Sequence, residues 1–213
     1  MNDSATSATD VSATRVSWTA SVAYSLGNAA ETILSRSFEL FVLFFYTQVL
    51  GLSGTLAGLA ILVALVVDGV MDPLVGSYSD SLKSRFGRRH TLMFAAALPT
   101  SLFYVLMFAP PASLTGVTLA LWLAATGIGL RASITFFHIP WSSQVAEMTT
   151  VPRARVTLAV MRSVFGVAAQ FVVLKLAFDV FFVATPEYIR GQENPAAYLP
   201  FGLAFGALLG VVI

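Results

Sequence analysis

Cysteine is absent from all 213 residues, which excludes disulfides, thiolate metal sites and cysteine nucleophiles. Charge is scarce as well. Asp, Glu, Lys and Arg make up 11% of the chain, against about 25% in soluble domains. With 57% hydrophobic residues and a mean hydropathy of +0.81, the expected class is an integral, multi-pass membrane protein. The apolar runs are continuous rather than alternating, which argues against a β-barrel. The first residues give no expectation of a signal peptide either. Residues 1–17 are rich in Ser, Thr and Ala, with Asp3, Asp10 and a lone Arg15. They lack the basic n-region and short apolar h-region, and read as a disordered cytoplasmic tail. The net charge of +1 gives no expectation of a nucleic-acid partner.

What is present is enough apolar sequence for six helices of about 20 residues each. Their expected positions are about 18–50, 56–78, 91–108, 115–140, 156–184 and 198–213. Gly51-Leu52-Ser53-Gly54 supplies a tight turn after the first, and Pro110-Pro111 ends the third. The last segment is 16 residues long, about 24 Å of a hydrocarbon core about 30 Å thick. A truncated sixth helix is therefore expected, with Gly202, Gly206 and Gly210 spaced for close helix packing. Arg15, Lys83, Arg85, Arg88, Arg89, Arg153 and Arg155 fall on one side of these spans, and Arg190 on the other. Positive charge collects on the cytoplasmic side, which predicts a cytoplasmic N-terminus in a cell or inner membrane.

Against this apolar background stand a few charges. Val67-Asp68-Gly69-Val70-Met71-Asp72-Pro73 carries two carboxylates four residues apart, hence on one helical face. The first span has a stripe of Tyr24, Asn28, Glu31, Thr32, Ser35, Arg36 and Glu39, in which Arg36 and Glu39 can pair at i,i+3. Arg131 and His138 share a face of the fourth span, and Lys175 and Asp179 can pair on the fifth. Facing lipid, eight such charges would cost roughly 20 kcal/mol at about 2.5 each, so they are expected to line an interior. Glu31, Glu39, Asp68, Asp72 and Asp179 outnumber Arg36, Arg131 and Lys175. An acidic surplus in a dry interior takes up protons or binds a cation.

Two families share elements of the Asp68 region. Asp68-Gly69 followed by Gly76-Ser77-Tyr78-Ser79-Asp80 faintly resembles the metal-binding signature of CDP-alcohol phosphotransferases. The Ala-Arg of that signature is absent, and Ser84 stands where its last aspartate belongs, so no enzyme is expected. The fuller match is Asp68-x-x-x-Asp72-Pro73-x-x-Gly76-x-x-x-Asp80-x-x-x-x-Arg85-x-Gly87-Arg88-Arg89. It resembles the glycoside–pentoside–hexuronide:cation symporters, the melibiose permease branch of the major facilitator superfamily. Tyr24 to Gly27, Phe45 to Ser53, Ile139-Pro140-Trp141-Ser142 and Arg155 to Arg162 extend the likeness across about residues 22–165.

That resemblance implies an all-α fold: a six-helix N-terminal half that rocks against a C-terminal six-helix half not contained in these residues. It also implies cation-coupled uptake of a sugar or glycoside from a midplane site. Its cation site maps onto Asp68, Asp72 and Thr135, with H⁺ or Na⁺ as coupling ion and no cofactor. Two positions depart: an Asn of the melibiose permease branch is Met71 here, and an Asp before Ile-Pro is His138. Sodium wants several oxygens, whereas a proton needs one carboxylate. The sugar-binding Arg maps onto Arg162, the Lys-Asp pair of the first span becomes Glu31-Thr32, and a Trp becomes Ser142 beside Trp141. The expected substrate site is Glu31, Thr32, His138, Trp141 and Arg162. Phe137-His138-Ile139-Pro140 also resembles relatives with Phe-His-Val-Pro, among them lysophosphatidylcholine symporters, so a lysolipid substrate stays open. Gly76, Asp80, Arg85, Gly87, Arg88 and Arg89 resemble the superfamily's cytoplasmic gate loop, whose arginines anchor at lipid phosphates. Topogenic charge alone is the plainer account of that loop, and a non-transporting structural fragment the plainer account of the chain.

Overall fold

The computed structural model describes residues 16–81 and 88–213, with side chains outside 80–90. Six helical segments follow one another. Helix α1 (Trp18–Ser37) runs on through two five-residue π-helical segments, Phe38–Val42 and Phe45–Val49. Helix α2 is Gly54–Ser81, α3 is Arg88–Phe108 and α4 is Gly116–Met148. Helix α5 (Pro152–Leu176) continues as a π-helical segment, Ala177–Phe181, and two short 3₁₀ turns precede α6 (Tyr198–Val212). There is no strand among the described residues.

Local chemistry sets the ends. Gly51 adopts φ +70° in the turn between α1 and α2, a conformation open to glycine at little cost. Thr115 and Thr118 close a reciprocal capping box at the start of α4. At its other end α4 does not stop near Pro140 but runs on to Met148. Proline removes one backbone donor, the one that would serve the Phe136 carbonyl, and membrane helices tolerate such an interruption where it is buried in protein. Beyond it, Ser142 and Ser143 donate to the Ile139 carbonyl at 3.1 Å, and Ser143 also lies 2.9 Å from the Pro140 carbonyl.

Helix α4 packs along both α2 and α3, α1 packs along α5, and α6 lies against α3 and α1. The glycine face of α6 makes the last contact possible: a Cβ at Gly206 would meet Val105 Cγ2 at 2.7 Å. Aromatic rings fill the junction of α1, α3 and α6, with Phe45 stacked on Tyr198 at 4.1 Å and Phe41 edge-on to Phe201 at 5.2 Å. Large apolar side chains point outward instead, among them Leu62 and Val66 on α2, Leu98 on α3 and Phe171 on α5. An apolar exterior around a partly polar interior belongs to a protein solvated by lipid. Among the described residues, five helices are long and apolar enough to cross a membrane. The first is not among them, because its polar stripe lowers its hydropathy.

Candidate functional site

Asp68 and Asp72 stand one turn apart on α2 and face α4. On α4, Arg131 and Thr135 are likewise one turn apart and meet them. Arg131 Nη1 donates to Asp68 Oδ2 at 2.7 Å. Thr135 Oγ1 lies 3.3 Å from Asp68 Oδ1, 3.4 Å from Asp72 Oδ1 and 2.9 Å from the Arg131 carbonyl. A hydroxyl has one proton to give, so it serves one of these acceptors at a time. The Arg131 guanidinium sits 5.1 Å from the Phe38 ring centroid on α1, within cation–π range. Its Nε is shielded from solvent and has no hydrogen-bond partner among the described residues.

A second polar group joins α1, α4 and α5. His138 Nε2 is 3.3 Å from Glu31 Oε2, and Arg162 Nη2 is 4.0 Å from the same oxygen. Both Glu31 Oε2 and His138 Nε2 are shielded yet make no aligned hydrogen bond among the described residues. Arg162 is held twice by Asn28: its Nε donates to Asn28 Oδ1 at 3.0 Å, and Asn28 Nδ2 donates to its carbonyl at 3.0 Å. The guanidinium also lies 4.6 Å from the Trp141 ring centroid. Trp141 stacks on Tyr24 at 5.0 Å, donates from Nε1 to the Tyr24 carbonyl at 2.9 Å, and is 2% exposed. So little exposure leaves its ring no open face for a ligand to stack on.

The intramembrane charges therefore sort into pairs. Arg36 meets Glu39 at 2.6 Å, Lys175 meets Asp179 at 2.6 Å, and Arg131 meets Asp68 at 2.7 Å. Arg162 on α5 adds a base to those expected within the spans and approaches Glu31. Among the described residues, Asp72 is the intramembrane acid with no ion pair, and it is exposed.

The structure thus brings Asp68, Asp72 and Thr135 together, and separately Glu31, His138, Trp141 and Arg162. Thr32 joins neither group: its hydroxyl donates to the Asn28 carbonyl at 2.8 Å, at the close approach of α1 to Gly166 on α5. Met71 lines an apolar crevice of about 740 Å³ between α2, α3 and α4, and brings no oxygen to the acids. Gly76 faces α4, where a Cβ would meet Ile139 Cγ2 at 3.9 Å. Arg85 and Gly87, and the side chains of Asp80, Arg88 and Arg89, lie outside the described residues. Arg131 and Asn28 are the members that reasoning from the sequence left out of the site. Asn28 lay on the polar stripe of α1, and Arg131 shared a face with His138. No cluster of three or more His, Asp or Glu side chains able to hold a metal ion occurs among the described residues.

Residues 23–213 match the family described as MFS/sugar transport protein. The chain belongs to that family. Within it the relatives are those anticipated from the Asp68–Arg89 segment, the glycoside–pentoside–hexuronide:cation symporters. This family member is 30% identical over 199 residues to the isoprimeverose transporter of Lactiplantibacillus pentosus, covering 93% of this chain and 40% of that protein. It is 30% identical over 164 residues to the glucuronide carrier protein homolog of Escherichia coli, covering 77% and 35%. The inner membrane symporter YicJ of Escherichia coli is 30% identical over 148 residues, covering 69% and 32%. The chain spans roughly a third to two fifths of the length of the curated relatives it matches.

Proposed function

We propose that this chain is the N-terminal half of a cation-coupled symporter for a sugar or glycoside, working by alternating access with a second six-helix half. The observation that carries this reading is the convergence of Asp68, Asp72 and Thr135 at the α2–α4 contact, with Asp72 free of any cationic partner among the described residues. A carboxylate held at membrane depth without a base is costly, and a coupling ion, H⁺ or Na⁺, offsets that cost. Glu31, His138 and Arg162 are assigned to the substrate. Their donors and acceptors converge from three helices, as hydroxyl recognition requires. Trp141 acts as the platform that holds Arg162, and Asn28 fixes the same guanidinium from α1. The basic residues at 83–89 and 153–155 support a cytoplasmic N-terminus. Gly76, Asp80, Arg85, Gly87, Arg88 and Arg89 are assigned to the cytoplasmic gate. No catalytic role is assigned to any residue.

A lysolipid substrate draws support from one feature, the apolar crevice of about 740 Å³ beside the acids. Thermal-shift measurements on the complete transporter against sugars, glycosides, uronides and lysolipids separate the two readings. Stabilisation by a sugar or glycoside is expected; stabilisation by lysolipids alone overturns the sugar assignment. The 213-residue chain in liposomes is expected to show no counterflow. Counterflow by it would remove the need for a second half.

A further inference from the structure

Within the cation-symport reading, on which this inference rests, we propose that Arg131 is a resident cation occupying the Asp68 half of the ion site, so that Na⁺ is not accepted there. The guanidinium takes Asp68 Oδ2 at 2.7 Å, the distance of a charge-assisted hydrogen bond. It is held over Phe38 at 5.1 Å from the ring centroid. Its Nε is shielded and has no partner among the described residues.

A metal ion bridging Asp68 and Asp72 would stand beside this positive charge and lose one of its oxygens. Met71, which lines the apolar crevice, offers no oxygen in its place, and among the described residues Thr135 supplies a neutral one between the two acids. The charged side chains of the neighbouring α1 have partners of their own. On α1, Arg36 pairs with Glu39 at 2.6 Å, and Glu31 faces His138 of α4 at 3.3 Å. With Arg131 in place the pair of acids carries one net negative charge; without it, two. Arg131 thus sets which ion the carboxylates can take.

The test is Na⁺-specific stabilisation of the complete transporter in detergent, read as unfolding temperature in NaCl against choline chloride at equal ionic strength. Wild type is expected to unfold at the same temperature in both salts. Arg131→Gln is expected to gain at least about 3 °C in NaCl, as a ligand bound only by the folded state would give. Arg131→Lys, which keeps the charge, is expected to stay indifferent. A Na⁺-specific rise in wild type overturns the assignment, as does a folded Arg131→Gln that ignores Na⁺. Equilibrium binding of radioactive Na⁺ to wild type decides the matter if Arg131→Gln does not fold: retained ion overturns it, and none supports it. Failure of the underlying symport reading looks different. It would show as undiminished gradient-driven accumulation by Asp72→Asn, whatever the response of Arg131 variants to Na⁺.

Discussion

Arg131 Nη1 and Asp68 Oδ2 lie 2.7 Å apart across the contact of α4 with α2, and each side chain keeps under a quarter of its surface exposed. Removing one partner from such a pair leaves the other charge uncompensated in a poorly solvated place. Asp68→Ala is therefore expected to destabilise the protein by about 2–4 kcal/mol, near and below the range for fully buried pairs. The neutral double variant Asp68→Asn/Arg131→Gln is expected to recover most of that loss. Thermal unfolding of the purified single and double variants measures both, and equal loss in the two would show that the charge pairing is not what stabilises the contact.

Asp72 has a different part. With no ion pair among the described residues and an exposed side chain, it contributes little to static stability. Asp72→Asn is expected to insert and unfold like wild type while losing gradient-driven accumulation. Uptake that still rises with an imposed H⁺ or Na⁺ gradient would take the coupling role away from this carboxylate.

Trp141 separates packing from recognition. Trp141→Phe keeps a ring against Tyr24 and Arg162 but loses the 2.9 Å hydrogen bond to the Tyr24 carbonyl, worth about 1 kcal/mol. Trp141→Ala empties a buried site, a change that costs about 3–5 kcal/mol in protein cores. Substrate affinity in Trp141→Phe is expected to stay within a few-fold of wild type, because the buried ring supports Arg162 rather than touching substrate. A loss approaching that of Arg162→Ala in a binding titration would contradict this.

Two glycines make opposite predictions. A Cβ at Gly206 would meet Val105 Cγ2 at 2.7 Å, so Gly206→Ala is expected to cost about 1–3 kcal/mol through overpacking. At Gly76 the nearest atom is 3.9 Å away, and Gly76→Ala is expected to leave the unfolding temperature unchanged. If Gly76→Ala nevertheless slows transport, its role lies in the sliding of α2 past α4. Unchanged transport would remove it from the gate.

Composition and helical periodicity set the solvent and the local geometry. Sparse charge and long apolar runs specify a membrane interior, and a 3.6-residue period puts Asp68 and Asp72 on one face of α2. The same local rule foretold the pairs Arg36–Glu39 and Lys175–Asp179, whose partners sit one turn apart on their own helices. Tertiary structure alone decided which helix each face meets. Arg131 and Asp68 are 63 positions apart, and Arg162 and Asn28 are 134 apart, distances over which periodicity carries no information about partners. Packing of α4 along α2 turned an acidic pair into one ion-paired carboxylate and one that has no ion pair among the described residues. Packing of α4 against α1 and α5 buried Trp141 between Tyr24 and the Arg162 guanidinium. The reason is physical: a helix's sequence sets which side chains share a face, whereas the neighbour that neutralises or buries that face is set by how the helices assemble.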